Sequence, residues 1–132
     1  MKYKHIIWDW NGTLLNDLTL CVDLLNVSLE KRKLPEMTED KYRKKFLFPI
    51  KTFYESIGFD FSKEDFTIAN DEFHQGFEQK FKKLALQPYA QDTIARFQKL
   101  GITQSILSAT VQSRLNEQVD FFGITHLSLI HI

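Results

Sequence analysis

The polar residues best placed to do chemistry follow two short apolar runs of the sequence. Asp9 and Asn11 follow the run IIW, and Ser108 and Thr110 follow the run SIL. Ligands of an open parallel sheet bind beyond the carboxyl ends of its strands, so a carboxylate after one strand and hydroxyls after the next could converge. Gly12 would let backbone N–H groups approach a bound anion closely. These residue types therefore predict a site for a small anion.

Two strands must position these residues. Residues 3–10 are rich in β-branched and aromatic side chains and are bounded by the turn pair Asn-Gly, which favours a buried strand ending near Asp9. A second strand is predicted over residues 102–107, because the run ITQSIL follows Gly101 directly. The other elements predicted for this part of the chain are a helix over 90–100, a helix over about 111–122 ended by Gly123, and a third strand starting within ITHLSLIHI.

The segment between the two strands, residues 17–85, predicts helices because its apolar side chains recur every three or four positions. The predicted helices cover about 17–33, 38–46 and 49–57, followed by a longer one with Ser62, then Asp65, as its cap. The apolar stripe of that helix is predicted to pack between helices and consists of Phe66, Ala69, Phe73, Phe77, Phe81 and Leu84. This order predicts an α/β core with a helical insertion directly after its first strand.

Composition argues against several classes of partner. The 132 residues are 43% hydrophobic, which suits one ordinary domain or part of a larger one, and 17 basic residues balance 17 acidic ones. There is no excess charge to favour nucleic acid or an anionic membrane, and no apolar stretch approaches the roughly 20 residues that span a bilayer. Cys21 is the single cysteine, which excludes an internal disulfide and favours a reducing, cytoplasmic location.

The stretch DWNGTL resembles the first motif, D-x-D-x-T, of the haloacid dehalogenase (HAD) superfamily of phosphohydrolases, and SILSA resembles its second motif. The helical segment between them is similar to the cap that phosphoglycolate phosphatase-like members insert after the first strand. The resemblance implies a HAD-like, Rossmann-like α/β core with a parallel sheet, formed by residues 1–15 and 86–132 and incomplete. It implies a helical cap domain over residues 16–85.

The resemblance also implies residue roles. Asp9 would be the nucleophile that becomes an aspartyl phosphate, a covalent intermediate that divides one difficult displacement into two easier ones. Mg²⁺ would be bound by the Asp9 carboxylate and by the main-chain carbonyl of Asn11, and would offset the charge on the phosphoryl oxygens. The groups implied to hold those oxygens are the hydroxyls of Thr13 and Ser108 and the backbone amides of Trp10, Asn11, Gly12 and Ala109.

Asn11 departs from the family pattern at a catalytic position. Family phosphatases usually carry a second aspartate there, which protonates the leaving alkoxide and later activates water. An amide cannot exchange a proton near neutral pH, and a general acid/base is typically worth about 10² to 10⁴ in rate. Asn11 therefore predicts slow turnover, or a substrate whose leaving group needs no proton.

The third and fourth family motifs, a lysine and an acidic pair, are missing from the chain. No lysine follows Ser108, and the only later acids are Glu117 and Asp120, on a predicted helix that faces elsewhere. The expectation is that the chain is truncated after the second motif and that the tail after His126 could be foreign. A partial sheet would also expose an edge, which predicts marginal stability and an impaired fragment.

The leading hypothesis is a Mg²⁺-dependent phosphatase of a small phosphorylated metabolite. The sequence does not predict its oligomeric state. The alternatives are a phosphosugar mutase of the same superfamily and a non-catalytic phosphate-binding regulatory protein; a receiver domain is disfavoured because roughly 70 residues separate the first two strands. Simpler local roles also stay open: Asp9 could cap a turn and Ser108 could cap the next helix. The cations Lys41, Arg43, Lys44 and Lys45 predict a solvated face or, alternatively, contact with an anionic substrate.

Overall fold

A parallel sheet holds the two loops that carry the predicted site. The computed structural model describes residues 2–124 and 127–131. Strands β1 (His5–Asp9), β2 (Thr103–Ser108) and β3 (Ser128–His131) lie in the order β1-β2-β3, and both pairings are parallel. Asp9 is opposite Leu107 in this register, so β1 and β2 end at the same edge of the sheet. The predicted α/β fold with a parallel sheet is confirmed.

Seven helical segments of the described residues complete the fold. They are α1 (Leu18–Lys31), α2 (Glu39–Lys45), α3 (Ile50–Ser56), α4 (Phe66–Lys80), a 3₁₀ turn (Phe81–Lys83), α5 (Ala90–Lys99) and α6 (Gln112–Phe121). Four of these, α1 to α4, follow β1 directly, which confirms the predicted helical insertion. Among the residues that the structure describes, no helix is long and apolar enough to cross a membrane.

The chain divides into two compact units. One, the α/β unit, contains residues 1–17 and 81–132, and the other, the helical unit, contains 18–80. The sequence placed the later boundary after residue 85 instead. The chain has rejoined the α/β unit by Phe81, whose ring meets Phe121 at 5.7 Å. Within that unit the Asn16 amide donates to the Ala85 carbonyl and the Gln87 amide donates to the Leu14 carbonyl, at 3.0 and 2.8 Å. Residue 126, from which the tail was suspected to be foreign, lies outside the described residues.

The helical unit has an apolar core formed by α1, α3, α4 and the connections between them. Its buried residues are Val22, Leu25, Leu29, Met37, Phe53, Tyr54, Phe59 and Ala69. Gly76 of α4 faces Leu24 of α1 so closely that a Cβ at position 76 would lie 2.5 Å from Leu24 Cδ2. The pKa of the Tyr54 hydroxyl is raised to about 12, chiefly because burial disfavours the phenolate.

Polar contacts fix the ends and one flank of the helical unit. Asp65, and not Ser62, caps α4, because Asp65 Oδ1 accepts a hydrogen bond from the Thr67 amide while Ser62 bonds Asp60.

A network of polar side chains joins α1 to α4. Arg32 donates to Glu64 and Glu72, and the Glu72 carboxylate also accepts from Ser28. Burial raises the pKa of Glu72, but the hydrogen bonds from Arg32 and Ser28 outweigh it and hold that pKa below its ordinary value. This network lies on the flank of the helical core.

The predicted phenylalanine stripe is shorter than the periodicity indicated. Ala69 and Phe77 are buried in the helical unit, and the rings of Phe73 and Phe77 stack with centroids 6.1 Å apart. Phe81 belongs to the α/β unit, where its ring meets Phe121 at 5.7 Å. The expectation that Phe81 packs between cap helices was wrong, because α4 ends at Lys80 and the chain tightens into a 3₁₀ turn.

Candidate functional site

The chain makes a tight turn immediately after β1. Three successive amides, those of Thr13, Leu14 and Leu15, donate to the Trp10 carbonyl at 3.0 to 3.2 Å. Gly12 has a φ of 76°, a conformation that costs little only for glycine. Its amide donates to the Leu15 carbonyl at 3.0 Å. The Gly12 amide is therefore used inside the turn, which favours the amides of Trp10 and Asn11 as donors to an anion.

Asp9 lies at the end of β1 with its side chain exposed. The Thr13 hydroxyl donates to Asp9 Oδ2 at 2.8 Å and so orients the carboxylate. A charged oxygen at an exposed strand end is accessible to a soluble phosphate ester. The role implied for Thr13, a bond to a phosphoryl oxygen, requires its hydroxyl to turn from Asp9 to the anion.

Asn11 is held at both ends of its amide group. Its Nδ2 donates to Asp17 Oδ2 at 2.8 Å, and its Oδ1 accepts from the Thr110 hydroxyl at 3.1 Å. Asp17 is almost fully buried, with 2% of its surface exposed. The Asn11–Thr110 bond joins the loop after β1 to the loop after β2.

Ser108 is the last residue of β2 and its side chain is buried. Its Oγ accepts from the Thr110 amide at 3.1 Å. Helix α6 begins only at Gln112, with Val111 at the N-cap position and no side-chain cap. The alternative that Ser108 caps this helix is therefore wrong, because its hydroxyl closes a turn inside the loop. Ala109, the next residue, is exposed.

Two glutamines support the site from positions that the sequence did not single out. Trp10 is fully buried and its indole Nε1 donates to Gln118 Oε1 at 2.9 Å, so only its backbone could reach a bound anion. Gln87 donates from Nε2 to the Gly12 carbonyl at 3.3 Å. Neither contact has a local signature, because both partners lie far away in sequence. The role of Asp17 has no signature for another reason: in the sequence this residue indicates only the start of a helix, and its bond to Asn11 is not predicted.

The oxygen atoms at the end of β1 fit a hard divalent cation. Asp9 offers an exposed carboxylate and the loop offers main-chain carbonyls, and Mg²⁺ commonly binds one or two carboxylates together with substrate phosphate and water. Over residues 2–124 and 127–131, no cluster of three or more His, Cys, Asp or Glu side chains could hold a metal. Glu117 and Asp120 lie exposed on α6. The further ligands of a cation at Asp9 would be the main-chain carbonyl of Asn11, a phosphoryl oxygen and water.

Comparison with known proteins places this geometry in context. The family model described as haloacid dehalogenase-like hydrolase matches residues 6–130. No curated protein matches the sequence.

Solved structures share the fold at low sequence identity. A predicted phosphoglycolate phosphatase from Haemophilus somnus 129PT superposes with a TM-score of 0.80 at 19% identity, over 99% of this chain and 63% of that one. A predicted phosphatase from Clostridium acetobutylicum gives 0.78 at 18%, over 97% and 60%. A HAD family hydrolase from Deinococcus radiodurans R1, solved with bound phosphate and sodium, gives 0.68 at 16%, over 98% and 58%. The chain thus spans about three fifths of the length of these structures.

Proposed function

Because the chain belongs to the haloacid dehalogenase-like hydrolase family, we propose that it carries the nucleophile of a Mg²⁺-dependent phosphatase. The proposed substrate is a small phosphorylated metabolite, in keeping with the predicted phosphoglycolate phosphatase whose fold the chain shares. The observation that carries this proposal is the exposed carboxylate of Asp9 at the end of β1, oriented by Thr13 and beside the end of β2. Since the chain spans only part of its structural relatives, the activity of the whole protein is part of the proposal.

The reaction has two displacements at phosphorus. In the first, an oxygen of Asp9 bonds to phosphorus, and the bond to the leaving oxygen breaks with its electron pair on that oxygen. In the second, water attacks the phosphorus and gives up one proton to solvent, the bond to Asp9 breaks with its electron pair on the carboxylate, and inorganic phosphate departs. The Asp9 carboxylate is regenerated, so no other reactant is consumed.

The two loops supply the donors for the phosphoryl oxygens. The proposed donors are the Ser108 hydroxyl and the amides of Trp10, Asn11 and Ala109, with Thr13 joining once its hydroxyl leaves Asp9. Preorganised donors of this kind favour the charge of the transition state without having to reorganise during the reaction. Mg²⁺, when bound to the Asp9 carboxylate and the Asn11 carbonyl, would supply positive charge beside those oxygens.

Asn11 limits which leaving groups depart easily. Both polar ends of its amide are bonded within the α/β unit, to Asp17 and Thr110, and an amide cannot give up a proton. An alkoxide leaving group must then take its proton from solvent, whereas an acyl or aryl leaving group needs none. We therefore expect acyl and aryl phosphates to react faster than alkyl phosphates such as phosphoglycolate.

The same residue favours a second candidate function. If the chemistry is lost with the acid/base group, a phosphate-binding regulatory protein remains, because the anion donors do not depend on the residue type at position 11. The two candidates differ in whether Asp9 is phosphorylated.

Hydrolysis of a substrate series tests the proposal. Acetyl phosphate, p-nitrophenyl phosphate and phosphoglycolate are incubated with the chain and Mg²⁺, beside Asp9→Asn and the matched surface control Asp120→Asn. The expected rates fall in that order, disappear in Asp9→Asn and persist in Asp120→Asn. Hydrolysis that survives Asp9→Asn would contradict the proposal, and phosphate binding with no hydrolysis in any variant would favour the regulatory protein. When a sugar monophosphate is added as acceptor, transfer of the group to it instead of to water would indicate a mutase.

A further inference from the structure

A chain of hydrogen bonds runs from a buried carboxylate to the proposed phosphate ligand Ser108. Asp17 accepts from Asn11 Nδ2 at 2.8 Å, Asn11 Oδ1 accepts from the Thr110 hydroxyl at 3.1 Å, and Ser108 Oγ accepts from the Thr110 amide at 3.1 Å. All four residues belong to the α/β unit. We infer that Asp17 and Thr110 are positioning residues that orient Asn11 and Ser108 for the phosphoryl group, an inference that rests on the proposed function.

The carboxylate determines which way the Asn11 amide points. Asp17 Oδ2 accepts from Asn11 Nδ2, so the NH₂ end of Asn11 faces Asp17 and the carbonyl end faces Thr110. That orientation requires the Thr110 hydroxyl to donate. The direction of each bond therefore follows from the acid at the buried end of the chain.

The Thr110 amide has a matching effect on Ser108. A hydroxyl has one proton and two acceptor lone pairs, and the amide occupies one of the acceptor positions. The Ser108 proton remains to be donated to an acceptor, which a phosphoryl oxygen provides. Ser108 is 3% exposed, so its hydroxyl is confined by packing as well as by this bond.

A purely structural role for Asp17 has to be separated from this one. Asp17 directly precedes α1, where Asp, Asn and Ser are all good helix caps. Replacement by Asn or by Ser keeps a capping group, and both remove the charge. Only Asn, with a side-chain carbonyl at the same reach as the Asp17 carboxylate, can still accept from Asn11. The pair Asp17→Asn and Asp17→Ser therefore isolates the acceptor.

The first measurement needs no ligand. The side-chain NH₂ signals of Asn11 are followed by ¹⁵N NMR in the parent chain, in Asp17→Asn, in Asp17→Ser and in the exposed control Asp120→Ser. We expect slow exchange with solvent in the parent, the control and Asp17→Asn, and faster exchange in Asp17→Ser. Unchanged Asn11 signals in Asp17→Ser would overturn the inference.

The second measurement is the affinity for inorganic phosphate with Mg²⁺, by calorimetric titration of the same variants and of Thr110→Val. Losing one hydrogen bond predicts a roughly five- to tenfold weaker affinity in Asp17→Ser and in Thr110→Val. Because both act through one chain, the double variant should bind about as weakly as either single one. Equal weakening in Asp17→Asn and Asp17→Ser would overturn the role of the acceptor.

The two proposals fail in different ways. A parent chain that does not bind phosphate at all would contradict the proposed function, and the Asn11 signals would then decide on the hydrogen-bond chain alone. Phosphate binding that is indifferent to Asp17→Ser and Thr110→Val would leave the proposed function standing and refute the positioning role.

Discussion

Among single residues, Asn11 shows most clearly what the sequence could and could not predict. The sequence predicted that Asp9 and Ser108 end neighbouring strands, because strand periodicity and a following turn are local signals. It could not predict what Asn11 bonds to, because Thr110 is 99 positions away and Asp17 looks like an ordinary helix start. The partners of a polar side chain depend on tertiary packing. The sequence therefore showed that position 11 is an asparagine, but it could not predict that Asp17 and Thr110 hold its side chain.

The single substitution Asn11→Asp should destabilise the chain, whereas its combination with Asp17→Asn should not. Asn11→Asp removes the donor that the buried Asp17 carboxylate accepts from and sets a second carboxylate in contact with it. The loss of one hydrogen bond typically costs about 0.5–1.5 kcal/mol, and two carboxylates in contact add repulsion, so the single variant should lose at least that stability in urea unfolding. When Asn11→Asp is combined with Asp17→Asn, the carboxylate introduced at position 11 can accept from the amide introduced at position 17 and from Thr110.

The double variant also places a carboxylate where the general acid/base of related phosphatases is expected. It should therefore recover stability and speed up alkyl phosphates more than acyl phosphates. A single variant as stable as the parent chain would contradict this coupling of positions 11 and 17.

At the scale of elements, helix ends were more predictable than helix partners. Gly101 and Gly123 follow α5 and α6 with φ values of 74°, and the sequence predicted the end of α6 from Gly123 alone. The same kind of local signal extended the aromatic stripe through Phe81, although that residue packs on Phe121 in the other unit. Periodicity shows which residues are apolar, but it does not show at which residue the chain passes from the helical unit to the α/β unit.

The close contact between Gly76 and Leu24 should decide how the substitution Gly76→Ala affects the stability of the chain. Gly76→Ala would place a methyl group 2.5 Å from Leu24 Cδ2, so the buried Leu24 side chain must shift and the gain in helix propensity should be reduced or lost. In a Leu24→Ala background the clash disappears, and the better helix propensity of alanine should stabilise α4 by up to about 1 kcal/mol. Urea unfolding of the four chains measures both effects. The same change in both backgrounds would rule out the close contact.

Tyr54 should make the helical unit sensitive to alkali. Its pKa is raised from 10.0 to about 12, first by burial and then by the nearby charges of Cys21 and Glu72. A raised pKa stabilises the fold below the unfolded value and loses that contribution as pH rises from about 10 to about 12. The loss amounts to roughly 2–3 kcal/mol. The free energy of unfolding should therefore fall more steeply over this range in the parent chain than in Tyr54→Phe; parallel curves would contradict it.

At the scale of the whole molecule, family membership and fold were accessible from sequence, while the extent of the domains was less so. DWNGTL begins at the last residue of β1 and SILSA ends one residue past β2, so both motifs lie at the same edge of the sheet. The α/β unit resumes at residue 81, where Phe81 packs on Phe121, and Leu14, Leu15 and Asn16 pair with residues 85–87 through the backbone. Such pairing between distant segments has no signature in either segment alone.

Charge balance is a property of the whole chain and predicts its self-association. With 17 basic and 17 acidic residues the formal net charge is zero near pH 7, so long-range repulsion between copies is weakest there. The second virial coefficient from static light scattering should be lowest near pH 7 and rise on both the acidic and the alkaline side. A coefficient independent of pH would contradict this expectation.

The central claim, that Asp9 accepts a phosphoryl group, is tested most directly by covalent labelling. The chain is mixed with radiolabelled acetyl phosphate and Mg²⁺, quenched in acid and mapped by mass spectrometry, with Asp9→Asn alongside. The account predicts one labelled aspartate, Asp9, and no label in Asp9→Asn. An unlabelled parent chain, or label that persists after Asp9→Asn, would contradict it.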